Sequence, residues 1–77
     1  MNRRHTEARF VLCIYNRGYR ASLELRKVYP VLPDAKAAAD DLVRVIDESG
    51  EDYLYPKKWF VRVVLPRSIE KTLLIAS

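Results

Sequence analysis

Leu42-Val43-Arg44-Val45-Ile46-Asp47-Glu48-Ser49-Gly50-Glu51-Asp52-Tyr53-Leu54-Tyr55-Pro56-Lys57-Lys58-Trp59-Phe60-Val61-Arg62-Val63-Val64-Leu65 is the stretch on which the fold turns. Residues 42–46, 53–55 and 60–65 are short runs rich in β-branched and aromatic side chains, separated by turn residues. That pattern predicts three consecutive strands. Glu48-Ser49-Gly50-Glu51 reads as a hairpin turn, with Gly50 where left-handed backbone is needed. Pro56-Lys57-Lys58-Trp59 reads as a compact turn. The two-residue period puts Val61, Val63 and Leu65 on one face. With Val43 and Val45, that row is expected to meet in a shared dry interior.

Working back from this stretch, Pro33-Asp34 introduces Ala35-Lys36-Ala37-Ala38-Ala39. Asp34 is a good cap and alanine the best helix former, so one short helical turn is predicted inside a loop. Further upstream, Leu23-Glu24-Leu25 alternates, Arg26-Lys27 interrupts, and Val28-Tyr29-Pro30-Val31-Leu32 follows. This predicts a strand with a bulge or sharp bend, and Pro30, having no N–H, places that end at a sheet edge. Asn16-Arg17-Gly18-Tyr19-Arg20 is a loop, and the apolar run Phe10–Tyr15 is the first strand. Residues 1–8 lack apolar periodicity and are expected to be a flexible tail, leaving 9–77 as one domain. Beyond Leu65, Pro66 suits a helix start, Ser68 can cap, and Ile69 and Leu73 lie four apart. A short C-terminal helix resting on the sheet is expected.

A chain of 77 residues is too short for two cores. Its single cysteine, Cys13, excludes an internal disulfide and a Cys/His zinc site. No apolar run approaches the roughly 18 residues needed to span a membrane, and no small-residue cleavage site follows the first strand. A cytoplasmic, bacterial-type protein is expected. The net charge of +4 permits polyanion contact, but the bases are scattered, which favours non-specific affinity over a specific code.

From Tyr53 onward the chain resembles the closing segment of SH3 domains, where a hairpin ends in Gly, an aromatic precedes Pro, a 3₁₀ turn carries an aromatic and a β-branched strand follows. Gly50, Tyr55-Pro56, Lys57-Lys58-Trp59 and Phe60-Val61-Arg62-Val63 keep that order. Cys13-Ile14-Tyr15-Asn16 is similar to the SH3 opening, and Ala21-Ser22-Leu23-Glu24-Leu25 to a later SH3 element, so the likeness spans roughly residues 10–65. The whole chain, above all Arg44–Pro56, also resembles small uncharacterised bacterial proteins that supply no activity to inherit. The resemblance implies a mostly β fold: a small five-stranded SH3-like barrel with a helical turn in one loop, a short C-terminal helix and no exposed sheet edge. It also implies a groove of aromatics for extended segments, matched here by Tyr15, Pro56 and Trp59. Arg17 replaces the second opening tyrosine, the 16–22 loop carries Arg17 and Arg20 instead of acids, and the third strand lacks the tandem tryptophan. A proline-rich ligand with a basic anchor is therefore not expected; a fold can be kept while its specificity is not.

Residue chemistry points away from catalysis. His5 is the lone histidine, has no Ser or Cys nucleophile near it in sequence and falls in the expected tail. Cys13, inside an apolar strand, reads as a buried structural thiol. Asp47, Glu48, Glu51 and Asp52 do not match the EF-hand spacing and read as a solvated hairpin tip. Asp40-Asp41 reads as a surface pair, and the two glycines form no phosphate loop. No cofactor or metal is expected. Five tyrosines and one tryptophan are many for this length. Tyr29 and one of Tyr53 or Tyr55 are expected in the core. The functional expectation is a non-enzymatic module that binds a protein segment through Tyr15, Tyr19, Pro56 and Trp59. The alternative is a small RNA- or DNA-binding barrel using Arg17, Arg20, Lys57, Lys58 and Arg62 around those aromatics. Oligomeric state is not legible in the sequence.

Overall fold

The computed structural model describes residues 9–76, with side-chain surroundings defined from 9 to 73. The expected tail, 1–8, and with it His5, lies outside the described residues. Five strands form one antiparallel sheet: β1 (Phe10–Cys13), β2 (Val28–Leu32), β3 (Leu42–Ile46), β4 (Asp52–Pro56) and β5 (Phe60–Val63). Helix α1 (Ala35–Ala39) sits between β2 and β3, a 3₁₀ turn (Lys57–Trp59) joins β4 to β5, and α2 (Arg67–Ala76) ends the chain. The fold is mostly β, with the helical turn and C-terminal helix where the residue patterns put them.

Strand order is β4-β3-β2-β1-β5, every neighbour antiparallel. β4 and β5 are the outer strands and do not pair with each other. The sheet is therefore not closed by hydrogen bonds, and among the described residues both outer edges stay open, contrary to the expectation of no free edge.

Local chemistry accounts for each connection. Asp34 caps α1 by accepting the Ala37 N–H at 3.0 Å, and Arg44 of β3 donates to the same carboxylate at 2.9 Å. One side chain thus starts the helix and ties it to the sheet. Gly50 has φ +85° in the β3–β4 hairpin, where a β-carbon would meet nothing within 4 Å. Any penalty at that position is therefore backbone strain alone. Gly50→Val is expected to destabilise by about 1 kcal/mol or more, and an unchanged thermal midpoint would reject this turn assignment.

Three expectations about strands β2 and β5 need correction. Leu23-Glu24-Leu25 is not strand: residues 20–26 run through turns, and Leu23 plugs the core while Leu25 stays exposed. The interruption at Arg26-Lys27 is nonetheless a bulge. Arg26 has φ +63°, its N–H donates to the Cys13 carbonyl, and the Cys13 N–H donates to Lys27. Pro30 lies in a strand flanked on both sides, not at an edge. It is tolerated because Phe10–Pro30 is a non-hydrogen-bonded pair, the Val31 N–H donating to Arg9 instead, and because the β2–β3 pairs start at Val31.

The third correction is one of phase. Register pairs Cys13 with Phe60, Val11 with Tyr29, Val31 with Val45 and Val43 with Tyr55, and these residues share the inner face. The core comprises Val11, Cys13, Leu23, Tyr29, Val45, Tyr55 and Phe60, with Val31, Val43 and Trp59 against it. Val43 and Val45 point inward as expected. Val61 and Val63 do not; Val61 is 47% exposed. A one-residue shift in strand phase turns every side chain to the other face, and Phe60, with more apolar area to bury, sets the phase of β5.

Phe10, one residue out of phase with Val11, is buried on the opposite face next to Val63. Arg9 reaches Glu70 of α2 at 4.0 Å beside it. Helix α2 begins at Arg67, so Ser68 lies inside the first turn and does not cap it. The Pro66 carbonyl takes the Ile69 and Glu70 N–H groups, both at 3.0 Å. Ile69 and Leu73, expected to pack, are exposed.

Candidate functional site: an aromatic shelf beside the 3₁₀ turn

The segment linking β1 to β2 has no regular secondary structure, yet its conformation is held at many points. The Tyr19 N–H donates to Asn16, the Ser22 and Leu23 N–H groups return to Tyr19, and Asn16 Nδ2 donates to the Leu23 carbonyl at 2.8 Å. Leu23, 0% exposed, anchors the segment in the core. From the other side, the Tyr29 hydroxyl accepts the Glu24 N–H at 2.7 Å and donates to Glu48, whose carboxylate also pairs with Lys27 at 2.7 Å. The Glu48 N–H donates to the Ser22 carbonyl. The loop is thereby tied to the β3–β4 hairpin.

This frame presents Tyr19, 49% exposed, against the 3₁₀ turn. Its ring centroid lies 5.4 Å from that of Trp59, and Tyr15, 42% exposed, lies 5.2 Å from Trp59 on the other side. These separations suit tilted aromatic contacts. Tyr55 lies beneath, edge-on to Tyr19 at 5.7 Å and tilted against Trp59 at 6.1 Å. Trp59 is half-buried: one part seals the core and the rest joins the surface. The 3₁₀ turn sets this position, because the Phe60 N–H returns to Lys57 and the Trp59 carbonyl accepts from Ile14.

Of the predicted site residues, Tyr15, Tyr19 and Trp59 therefore form one cluster. Pro56 lies at the end of β4 and lines the groove beyond the turn. Tyr55 was not singled out as a member. It and Tyr53 share the phase of Val43 and Val45, but Tyr55 is buried whereas Tyr53, nearer the hairpin, is exposed. Arg17 and Arg20 flank Tyr19 in the loop, Lys57 and Lys58 lie in the 3₁₀ turn, and Arg62 is on β5. All five are exposed, with no ion-pair partner among the described residues.

A buried carboxylate supports the shelf from below. Asp47, expected at a solvated tip, is only 5% exposed. It accepts the Tyr55 hydroxyl at 2.6 Å and the Ser49 N–H and hydroxyl at 2.9 and 2.6 Å. Burial by itself would raise its pKa, but these hydrogen bonds outweigh it and hold the carboxyl below its ordinary value. Burial, then the bond to Asp47, push Tyr55 up to about 12. A depressed carboxyl stabilises the fold fully above the unfolded pKa and loses that contribution as pH falls through the folded one. The melting midpoint should therefore drop in acid, and Asp47→Asn should flatten that slope. Parallel slopes for the two proteins would exclude this role.

Cys13 is fully buried and its thiol is pushed up by burial. Among the described residues, no three His, Cys, Asp or Glu side chains gather to hold a metal ion, and no helix is long and apolar enough to cross a membrane. No family model, curated protein or solved structure matches the chain.

Proposed function

We propose that the protein is a non-enzymatic interaction module of SH3-like build that binds an extended protein segment on the Tyr15–Tyr19–Trp59 shelf. The observation that carries this reading is two half-exposed tyrosines held in tilted contact with one tryptophan by a hydrogen-bonded loop. Such rigid aromatics give large contact area at small entropic cost. The SH3-like part is supported by the strand order, the long structured β1–β2 segment and the 3₁₀ turn between β4 and β5. Pro56 stands at the mouth of that turn. The cationic loop, with Arg17 and Arg20, argues for a partner without a basic anchor.

The test is crosslinked capture from a native lysate with wild type, Trp59→Ala and Tyr19→Ala. Trp59→Ala is expected to lose the specific partner, with a weakening of about tenfold or more if Trp59 is a hot spot. Identical captures from all three proteins would discard the shelf as a binding surface. A second reading, a nucleic-acid-binding barrel, draws support from Arg17, Arg20, Lys57, Lys58 and Arg62 around the same rings, none ion-paired among the described residues. It requires binding to single-stranded oligonucleotides that weakens steeply with salt. Absence of association at low salt removes it.

A further inference from the structure

The 3₁₀ turn separates the aromatic shelf from a second feature, the seam left between the unpaired outer strands. An open groove of about 1180 Å³ meets this seam along β5, lined by residues of β1, β2, β3, α1, the 3₁₀ turn and β5, with Pro56 alone from β4. Val11, Val31, Val43 and Phe60 contribute its apolar lining, the backs of core residues reached from the seam. Val61 and Leu32, both exposed, widen it at the sides. Lys57, Lys58 and Arg62 line one side, none of them ion-paired among the described residues. The opposite side carries Asp34, already neutralised by Arg44, and Asp41.

The backbone of β5 adds a direction to this groove. The Ile14 N–H donates to Trp59, so the same register makes Leu12–Val61 and Phe10–Val63 the hydrogen-bonded pairs between β1 and β5. The alternate residues, Phe60 and Arg62, turn their peptide groups away from β1. The Phe60 N–H is used by Lys57. Among the described residues nothing pairs with the N–H and C=O of Arg62, which face outward along a strand edge of the kind that pairs with an added strand.

We propose that this seam is a second docking site, distinct from the shelf, for an extended acidic segment of a partner protein that pairs with Arg62 on the free edge of β5. Apolar side chains of the segment, on alternate positions, seat over Val11, Val43 and Phe60. Its carboxylates meet Lys57, Lys58 and Arg62. An extended chain fits because it satisfies both the apolar lining and the open peptide groups. An acidic one fits because the uncompensated charge of the groove is positive.

The proposal is tested by titrating the isotope-labelled full chain with a short capped peptide alternating valine and glutamate, against its valine–lysine counterpart. Amide resonances of Val43, Lys57, Lys58, Val61 and Arg62 are expected to shift with the glutamate peptide. The double variant Lys57→Glu, Lys58→Glu, changed at two exposed positions, should weaken binding about tenfold or more, and added salt should do the same. Arg62→Pro removes the outward N–H without touching the β1 ladder and should also weaken binding. Melting curves separate lost binding from lost fold, and the lysine pair decides the matter if the proline variant unfolds. Tyr19→Ala, a shelf change, should leave this binding intact, so failure of the shelf and failure of the seam are told apart. No shifts at millimolar peptide, equal binding of the lysine peptide, or shifts confined to Tyr15, Tyr19 and Trp59 would each overturn the proposal. A single-stranded oligonucleotide that shifts the seam amides more strongly than the glutamate peptide would also overturn it.

Discussion

Val45→Asp is expected to abolish the cooperative thermal transition of the domain. Val45 is 0% exposed at the centre of β3, opposite Val31 on one side and Tyr53 on the other. The substitution forfeits about 2 kcal/mol of apolar burial and asks a carboxylate to enter a site with no cation of its own. The nearest charged residue in the strand, Arg44, points to the other face and is engaged with Asp34 and Asp52. An unpaired buried charge costs several kcal/mol. A domain of 77 residues holds on the order of 4–12 kcal/mol in total, so the loss consumes most or all of it. Val45→Ala, which adds no charge, should retain a cooperative melt with a loss of about 1–3 kcal/mol. Denaturant and thermal unfolding of both variants decide the matter. A folded Val45→Asp protein with near-normal midpoint would mean that β3 does not face the core as described.

The second large effect is expected at Leu23→Ala, and it connects stability to the shelf. Leu23 is fully buried yet belongs to no strand; it is the one core residue contributed by the β1–β2 segment. Truncation should lose about 2–5 kcal/mol through lost burial and the cavity left behind. The same side chain anchors the loop whose carbonyl at Leu23 takes Asn16 and whose N–H returns to Tyr19. Loosening it should free Tyr19 from Trp59. Because Trp59 is the only tryptophan, its emission reports this directly: a red shift in the folded variant is the expected result. Normal stability with unchanged emission would show that the loop is held by its hydrogen bonds alone.

The two variants probe different levels of organisation. Val45 tests a strand whose burial was readable from a period-two pattern. Leu23 tests a contact between a loop and a core that no periodicity announces. The alternation Leu23-Glu24-Leu25 looks like a strand, but a bulge with Arg26 in left-handed backbone ends the regular pairing before it. Tertiary burial of one leucine then overrides local β preference.

What the residues alone determined is the local punctuation and the class. Gly50 required positive φ, Asp34 capped a helix, Cys13 was buried, and the hydrophobic runs separated by turn residues became five antiparallel strands with a C-terminal helix. These are properties of neighbours in the chain, so the chain displays them. Tertiary structure alone decided which face of β5 turns inward, since Phe60–Arg62 and Val61–Val63 are both acceptable period-two rows until Cys13 is placed opposite Phe60. It likewise made Asp47 a buried partner of Tyr55, set Tyr55 against the rings of Tyr19 and Trp59, and left the seam beside β5 open. Each of these depends on which distant segments meet, and no local preference specifies that.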